Sequence, residues 1–333
     1  MTTREWTLRP YRPGDEERIL ELFNGIFRPF NPDYVDRSLA HWRWLYAENG
    51  HEHQTWVAEL PDGRFIGQYT AIPMMMNIRG ERSLTGQAVD TCVDPAYRRS
   101  LRREGLFLTM ARSWFDYWGC DERDRIVYGF PNEQAFPVGT RLLHYRPVHC
   151  PVLELNRAAD PEGLPASPAV TVERVERFDE RADGLYEKLR DGLGLSTWRD
   201  KAYLDWRFVR SPSVKYEILQ ATRGGELCAW VVYRLGWFKE KVAPLVDVLF
   251  DPADREALGA LVRELACDAR AAGLQTIRTW MPVSFPHHET LKSLGFLPAP
   301  SRFNLCIRIF NPMFDLSYAK ERWYYTMGDS DIY

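Results

Sequence analysis

The sequence contains the same pattern of segments twice. GDEERILELF is followed by LAHWRWLY in the first copy, and FDERADGLYEKL is followed by YLDWRFVR in the second. Asp15 and Asp179 occupy equivalent places, as do Trp42 and Trp206, and the two pairs are separated by the same number of residues. Farther on, VDTCVDPAYR matches VDVLFDPADR at a slightly shorter separation. A repeated unit of this length predicts two domains of similar fold in tandem.

Each copy has the pattern of an α+β unit. In the first copy, apolar residues recur every three or four positions over residues 17–27 and again over 105–118, which predicts two helices. The runs TWVAEL, RFIGQYTAI, TGQAVDTCV and RIVYGF lie between turn signals and predict strands. Helices, then antiparallel strands, then strand, helix and strand predict a mixed, mostly antiparallel sheet flanked by helices.

The segment between the two copies is predicted to be a linker. NRAADPEGLPASPAV, residues 156–170, is rich in Pro, Ala and Gly and lacks apolar periodicity. We therefore predict an N-terminal domain of residues 1–160 and a C-terminal domain of residues 161–333 that ends in a tail.

Composition excludes several classes of function. The formal net charge of −3 disfavours a protein that coats nucleic acid or an anionic membrane. No run of about 18 apolar residues occurs, and MTTREWTLRP lacks the apolar core of a signal peptide, so we expect a cytoplasmic protein without membrane insertion. The six cysteines are scattered without a C-x-x-C pair, which favours reduced thiols, and no metal site is expected.

A cluster of arginines precedes the second predicted helix. Arg98, Arg99, Arg102 and Arg103 come just before Gly105, where that helix begins. Unpaired N–H groups at a helix start attract anions, a glycine lets a phosphate approach the backbone, and arginine side chains add ion pairs. The cluster therefore predicts a phosphate site, and a solvated charged loop is the alternative.

The stretch CVDPAYRRSLRREGLF resembles the phosphate-binding segment of the GNAT acyltransferase superfamily. In that family Val-x-Pro-x-x-Arg leads into (Gln/Arg)-x-x-Gly-x-(Gly/Ala), and the loop holds the pyrophosphate of acetyl-CoA. VYGFPNEQAFPVGTRLLHYRPV is similar to the next strand and helix of the family, and HETLKSLGFLPAP in the second copy is similar to its closing motif. The ending WYYTMGDSDIY is similar to the ends of bacterial members related to cell-surface polysaccharide or secondary metabolism. The resemblance implies a tandem member that takes acetyl-CoA as donor.

The resemblance also implies a role for individual residues of the loop. Arg102 falls at the Gln/Arg position and Gly105 at the first Gly, whereas Phe107 stands where the family has its last Gly or Ala. The loop is longer than the family pattern, so Arg98 and Arg99 are alternatives for contacting the ribose 3′-phosphate of CoA.

The strand before the loop completes the implied donor site. By the resemblance, the backbone around Cys92 and Val93 polarises the thioester carbonyl from the edge of a splayed strand. The residues predicted to bind the cofactor are Cys92, Val93, Arg98, Arg99, Arg102, Arg103, Glu104, Gly105, Leu106, Phe107 and Asn132.

The second copy lacks this site. Asp254 and Glu256 stand where the first copy has arginines, and carboxylates repel phosphate. We expect one active site per chain, with the second copy as a structural duplicate or as a wall of the acceptor pocket.

Acyl transfer to an amine needs a base, donors for the oxyanion, and a proton for the departing thiolate. A primary amine has a pKa of about 10 and is mostly protonated at neutral pH. The family often uses a glutamate at the position of Gln87 and a tyrosine at the position of Thr140 or Gly139. Asp90 is the nearest carboxylate, although strand alternation turns it away from Gln87 and Val93 unless a bulge intervenes.

Other groups are candidates for these roles. Asn132 matches a position that orients CoA or a water in the family, and Tyr128 or Tyr145 are alternatives for the acid. Asp331 and the terminal carboxylate of Tyr333, with Asp329, form either a solvated acidic tail or a segment that packs against the first copy. In looser multidomain relatives a chain-terminal carboxylate is the base. The predicted catalytic residues are Asp90, Asn132, Tyr128 and Tyr333.

These observations predict an N-acyltransferase that moves an acetyl group from acetyl-CoA to the amine of a small molecule such as an aminosugar. Direct attack through a tetrahedral intermediate is the expected mechanism. One alternative is transfer of a longer acyl chain to an amino acid or polyamine, which Phe107 and Met110 permit. The other is a catalytically silent module that binds CoA or a partner, which the missing glutamate and tyrosine favour.

Overall fold

The computed structural model of the protein describes residues 6–30, 33–98, 105–120, 122–311 and 314–333. The chain divides into two compact units, and neither unit is a single stretch of sequence. The first comprises the described residues of Met1–Met75, Ser83–Pro147 and Leu305–Asp315. The second comprises those of Met76–Arg82, Val148–Asn304 and Leu316–Tyr333.

Both units contain strands and helices. The strands in the described residues are β1 Thr7–Pro10, β2 Gln54–Glu59, β3 Phe65–Ile78, β4 Glu81–Val93, β5 Ile126–Gly129, β6 Arg146–His149, β7 Leu153–Ala158, β8 Thr171–Val175, β9 Leu195–Thr197, β10 Glu217–Arg223, β11 Glu226–Tyr233, β12 Val242–Phe250, β13 Thr276–Trp280, β14 Leu297–Pro300 and β15 Leu305–Ile309. The α-helices in the same residues are α1 Glu16–Phe27, α2 Leu39–Tyr46, α3 Leu106–Trp118, α4 Ala135–Leu142, α5 Arg181–Leu193, α6 Lys201–Leu204, α7 Arg255–Ala271, α8 Pro286–Ser293 and α9 Leu316–Arg322.

The sheet of the first unit has the strand order β1-β2-β3-β4-β5-β15-β6 within the described residues. β1, β2 and β3 pair antiparallel, and so do β5 and β15. β4 and β5 are parallel, and α3 forms the crossover that a parallel pair requires. The predicted helices over 17–27 and 105–118 are confirmed as α1 and α3.

Helix α3 covers the sheet with one apolar stripe. Met110, Trp114 and Trp118 follow at four-residue spacing and are almost completely buried. The indole Nε1 of Trp114 donates a hydrogen bond to the Gln54 carbonyl oxygen in β2 at 3.0 Å. The stripe fixes where the helix begins, at Leu106, directly after the arginine cluster.

The second unit repeats this arrangement. Its sheet has the strand order β14-β7-β13-β12-β11-β10-β8 within the described residues. β12 and β13 pair parallel and α7 connects them, as α3 connects β4 and β5. The predicted α+β class with two mixed sheets is confirmed.

Strand β7 corrects one prediction. The sequence assigns Asn156–Val170 to a linker, yet residues 156–158 are strand and pair with β13 and β14. The prediction was wrong for these residues because distant strands supply their hydrogen-bond partners, and no local pattern shows that.

The C-terminal tail, residues Leu316–Tyr333, belongs to the second unit. Asp329 is buried and pairs with Arg199 at 2.6 Å, and Arg199 pairs with Asp247 at 3.0 Å. The ring of Tyr333 is also buried and stacks on Trp237 with centroids 4.2 Å apart. Of the two alternatives, a solvated tail is therefore wrong for Asp329 and Tyr333, because these partners replace water, whereas Asp331 is exposed. No helix in the described part of the chain is both long and apolar enough to cross a membrane.

Candidate functional site

The parallel register of strands β4 and β5 in the first unit ends before the residues predicted to bind the donor. Their parallel register joins Gly86 to Val127 and Gln87 to Tyr128, and in the described residues it extends no farther. Beyond Gln87, backbone groups of β4 that face β5 are therefore outside this register. A strand edge whose backbone groups lie outside a register can pair with the polar groups of an extended ligand.

Asp90 introduces a kink into β4. Its φ of 52° lies in the left-handed region, where a non-glycine residue costs on the order of 1–3 kcal/mol. A left-handed residue inside a strand also occurs in one type of β-bulge, and it interrupts the alternation of side chains.

Three side chains hold this kink. The Asp90 carboxylate forms an ion pair with Arg37, and it accepts a hydrogen bond from the Tyr46 hydroxyl at 2.5 Å. The Asp90 carbonyl oxygen accepts a hydrogen bond from Gln68 Nε2 of β3 at 2.7 Å. Both the side chain and the main chain of Asp90 are therefore engaged.

Arg37 is itself fixed to α1. The Asn24 side chain accepts a hydrogen bond from the Arg37 N–H at 2.9 Å and donates one to the Arg37 carbonyl oxygen at 3.1 Å. The guanidinium lies over the Phe23 ring, 4.5 Å from its centroid. Neither Arg37 nor Tyr46 was predicted as a site residue, because their meeting with Asp90 depends on tertiary packing.

Cys92 and Val93 follow the kink on β4. Burial raises the pKa of the Cys92 thiol to about 12, so this group is neutral at physiological pH and is unsuited to act as a nucleophile. Val93 packs into the core with Met110, and its carbonyl oxygen accepts a hydrogen bond from Arg98 Nε at 2.9 Å. What these two residues can offer a ligand is backbone.

The loop after β4 leads to an uncapped helix start. Asp94 caps the turn Pro95–Tyr97 by accepting a hydrogen bond from the Ala96 N–H at 2.9 Å, and Arg98 is exposed. Gly105 occupies the N-cap position of α3, where no side chain of the described residues accepts from the first turn. Four predicted residues lie outside the described residues: Arg99, Arg102, Arg103 and Glu104.

Leu106 and Phe107 form the first turn of α3. Leu106 is buried in the core, and Phe107 is partly buried with its ring 6.0 Å from that of Tyr69. The predicted donor loop thus ends in an apolar turn whose backbone N–H groups are available to an anion.

The predicted polar residues after β5 have other partners. Asn132 is exposed, and its Oδ1 accepts hydrogen bonds from the N–H groups of Gln134 and Ala135 at 3.1 and 2.8 Å, so it caps the start of α4. Tyr128 is buried in β5, opposite Gln87 of β4. Tyr128 thus lies within β5, and Asn132 follows the end of that strand by three residues.

Tyr145 is less suited to donate a proton than the sequence suggested. Its hydroxyl is 3.0 Å from that of Tyr69, and both rings are buried. Burial raises the pKa of Tyr145 well above its ordinary value, and that of Tyr69 as well. A phenol with a raised pKa is a weaker acid.

Tyr333 lies in the second unit. Its main-chain oxygen accepts hydrogen bonds from Arg207 Nη2 at 2.7 Å and from the Tyr216 hydroxyl at 3.0 Å. Burial raises the pKa of its phenol to about 12. The other predicted catalytic residues, Asp90, Tyr128 and Asn132, all belong to the first unit.

A groove of about 760 Å³ opens beside Arg37 in the first unit. Two carboxylates on α1, Glu17 and Glu21, stand one turn apart on its wall, and Arg28 and Asp36 form an ion pair across it. The residues that line it are Glu17, Leu20, Glu21, Asn24, Gly25, Arg28, Asp36, Arg37 and Ser38.

The described residues hold no group of three or more His, Cys, Asp or Glu able to bind a metal ion.

The equivalent helix of the second unit starts differently. The Asp254 side chain accepts a hydrogen bond from the Ala257 N–H at 3.1 Å and pairs with Arg223 at 2.7 Å. Although burial opposes ionisation, these hydrogen bonds lower the pKa of Asp254. A carboxylate of the chain thus occupies the place that a phosphate would take at the start of α7.

Comparison with known proteins gives the family. Residues 7–137 match the family model described as an acetyltransferase (GNAT) domain. This part of the chain is therefore a GNAT domain, and the predicted resemblance and the predicted acyltransferase class are confirmed. No curated protein sequence matches the chain.

Solved structures show the same fold. A probable N-acyltransferase from Enterococcus faecalis is 16% identical with a TM-score of 0.65, over 92% of this chain and 73% of that one. A GCN5-related N-acetyltransferase from Anabaena variabilis is 11% identical with the same score and coverage. Saccharomyces cerevisiae N-myristoyltransferase with bound myristoyl-CoA is 13% identical with a TM-score of 0.58, over 92% of this chain and 79% of that one.

Proposed function

This chain carries a GNAT acetyltransferase domain in residues 7–137, and we propose that it transfers an acetyl group from acetyl-CoA to the amine of a small molecule, such as an aminosugar. The observation that carries the proposal is the start of α3. Gly105 caps this helix with backbone alone, in the loop that follows a strand whose register with its parallel neighbour ends at Gln87. An anionic donor has both a place for its phosphates and a strand edge along which to extend.

In this proposal the loop binds the pyrophosphate and the strand binds the acyl end. The N–H groups of Gly105, Leu106 and Phe107 meet the phosphates, with Glu104 as part of the same loop backbone. Positive charge comes from the four arginines of the loop, Arg98, Arg99, Arg102 and Arg103. The backbone of Cys92 and Val93 donates to the thioester carbonyl and stabilises the oxyanion of the tetrahedral intermediate.

The groove beside Arg37 is the proposed acceptor site. Its volume of about 760 Å³ suits a small molecule. Glu17 and Glu21 on its wall attract a protonated amine, and Arg37 connects the groove to the kink in β4 through Asp90. The acceptor therefore reaches the donor strand from the side of α1.

Proton transfer is assigned to groups at the end of β5 and in the tail. The amine must lose a proton before it attacks, and the thiolate must gain one. We propose that Tyr128 and Asn132 orient a water or a proton donor near the sulfur. Tyr128 lies in β5 opposite Gln87 of β4, and Asn132 lies between β5 and α4. Tyr333 stays a proposal for the base, and its main-chain oxygen already binds Arg207.

A longer acyl chain is the second candidate. The yeast N-myristoyltransferase that shares this fold holds myristoyl-CoA, and here Phe107 stands where the family has a small residue. A silent CoA-binding module is the third, because Gln87 replaces the glutamate of the family.

We also propose a cytoplasmic location, since none of the six cysteines forms a disulfide.

The proposal is tested by donor-dependent release of free CoA thiol. The protein is incubated with acetyl-, octanoyl- or myristoyl-CoA and with glucosamine, spermidine or free amino acids. We expect thiol release from acetyl-CoA that requires glucosamine or a similar amine. Release that requires a long acyl chain would support the second candidate. Binding of CoA without release with any amine would support the silent module.

A further inference from the structure

The ion pair and hydrogen bonds around Asp90 join three elements to one point of β4. Arg37 is held by Asn24 and Phe23 of α1, and Tyr46 is the last residue of α2. Gln68 reaches the Asp90 carbonyl oxygen from β3. These contacts from the segment before α2, from α2 and from β3 all converge on a residue with a φ of 52°, which indicates that the surrounding structure stabilises the kink.

A general base must be free to accept a proton from substrate. The Asp90 side chain is only 9% exposed, and it is occupied by a guanidinium and by a hydroxyl. Both contacts would have to break before the carboxylate could reach a proton of the substrate. These contacts suit a group that maintains geometry better than one that takes up a proton.

The kink lies beyond the part of β4 that is in register with β5. The register with β5 ends at Gln87, three residues before Asp90, and Cys92 and Val93 follow two and three residues after it. Whatever fixes the backbone at Asp90 therefore fixes the direction of the N–H groups that come next. In acyl transfer, donors must be aimed at the oxygen in advance to be effective.

We propose that Arg37, Tyr46 and Asp90 are positioning residues that hold the kink of β4 and so aim the backbone N–H group of Val93 at the thioester carbonyl. The inference rests on the proposed function, because it assumes a thioester at this strand. It differs from that function in assigning Asp90 a role without proton transfer. It also brings in two residues that the sequence did not suggest, Arg37 from the segment before α2 and Tyr46 from the end of α2.

The test is the carbonyl stretching frequency of bound acyl-CoA labelled with ¹³C at the carbonyl, measured by difference infrared spectroscopy. The thioester used is the one among acetyl-, octanoyl- and myristoyl-CoA that binds most tightly. Hydrogen bonds from the strand lower this frequency, so the wild type should lower it relative to free thioester. No acceptor is needed, and a base has no influence on this quantity.

Two variants alter the kink and one leaves it intact. Asp90→Asn removes the charge, and Tyr46→Phe removes one hydroxyl and is the milder change. Both should move the frequency back toward that of free thioester, while the dissociation constant changes by less than about tenfold. Glu59→Gln is the matched control, since Glu59 is likewise a carboxylate of the first unit in ion pairs with arginine, here Arg9 and Arg18. It should keep the wild-type frequency.

The outcomes separate the inference from the function on which it rests. Failure of every thioester to bind the wild type would remove the proposed function and the inference with it. Binding with an unshifted carbonyl in the wild type would overturn the inference alone. So would a wild-type frequency in both Asp90→Asn and Tyr46→Phe, and loss of turnover at that unchanged frequency would point to Asp90 as the base.

Discussion

The side-chain amide of Gln54 donates a hydrogen bond to Asp124 Oδ1 at 2.9 Å, and both side chains are completely buried. Asp124 Oδ2 and the side-chain oxygen of Gln54, Oε1, have no hydrogen-bond partner among the described residues. Burial raises the pKa of Asp124 to about 7, although the bond from Gln54 opposes the shift. Protonation of Asp124 would supply a donor where two acceptors otherwise lie unpaired.

The first prediction concerns the pH dependence of stability. The folded protein keeps a proton on Asp124 up to about pH 7, while an unperturbed carboxyl ionises near 3.8. The folded state therefore binds more protons between these values, so the contribution of Asp124 to the free energy of unfolding falls as pH rises from about 4 to about 7. Asp124→Asn removes this dependence and should be more stable than the wild type at pH 8, by about 1–3 kcal/mol.

Urea denaturation at pH 5 and pH 8 measures the difference. Asp62→Asn is the control, since its carboxylate is 65% exposed, and it should change stability little at either pH. An Asp124→Asn variant whose stability relative to the wild type is the same at both pH values would contradict the prediction.

The second prediction concerns Gly86, which lies beside the same pair. A Cβ at this position would be 2.9 Å from Asp124 Oδ2, 3.0 Å from Gln54 Oε1 and 3.1 Å from the Cβ of Ala71 in β3. Gly86→Ala should therefore lower the free energy of unfolding by about 1–3 kcal/mol, because the buried neighbours have little room to move. Gly184→Ala in α5, where a Cβ meets no atom of the described residues within 4 Å, should be neutral or stabilising. Equal effects of the two substitutions on the melting temperature would refute the crowding at Gly86.

The third prediction contrasts a buried and an exposed arginine of the second unit. Arg199 is 0% exposed and pairs with Asp247 and Asp329, so Arg199→Met leaves two buried carboxylates without their cation and should cost about 3–5 kcal/mol. Arg174 also has two carboxylate partners but is 45% exposed, and Arg174→Met should cost less than about 1 kcal/mol. Chemical denaturation of both variants checks the ratio, and similar losses would show that burial does not decide it.

Local pattern in the sequence was sufficient for the elements that carry their own periodicity. The apolar stripe with Trp114 and Trp118 predicted α3 to within a residue, and the repeat predicted a second sheet with the same crossover helix. The paired residues Trp42 and Trp206 are both buried, as a shared core contact requires. Such signals need only neighbours along the chain.

Contacts between distant residues could not be predicted in this way. Tyr46 reaches Asp90 across 44 residues, and Arg37 reaches it from a segment without regular structure. The burial of Asp329 has the same explanation. The acidic segment DSD predicts exposure to water, whereas the ion-pair partner of Asp329, Arg199, lies 130 residues earlier in the sequence. β15 joins the sheet of the first unit from the far end of the sequence for the same reason. Polarity along the chain does not reveal a partner that only folding supplies.

The measurement that tests the central claim most directly is calorimetric titration of acetyl-CoA into the wild type, Gly105→Glu and Gly105→Ala. The nearest atom to a Cβ at this position is 4.0 Å away and the φ of −68° suits alanine, so Gly105→Ala should fold and bind. Gly105→Glu places a carboxylate where the pyrophosphate is proposed to lie and should lose binding by at least about tenfold. We predict one site per chain in the wild type, since Asp254 occupies the equivalent helix start of the second unit. Absence of binding to the wild type, or undiminished binding to Gly105→Glu, would contradict a donor site at the start of α3.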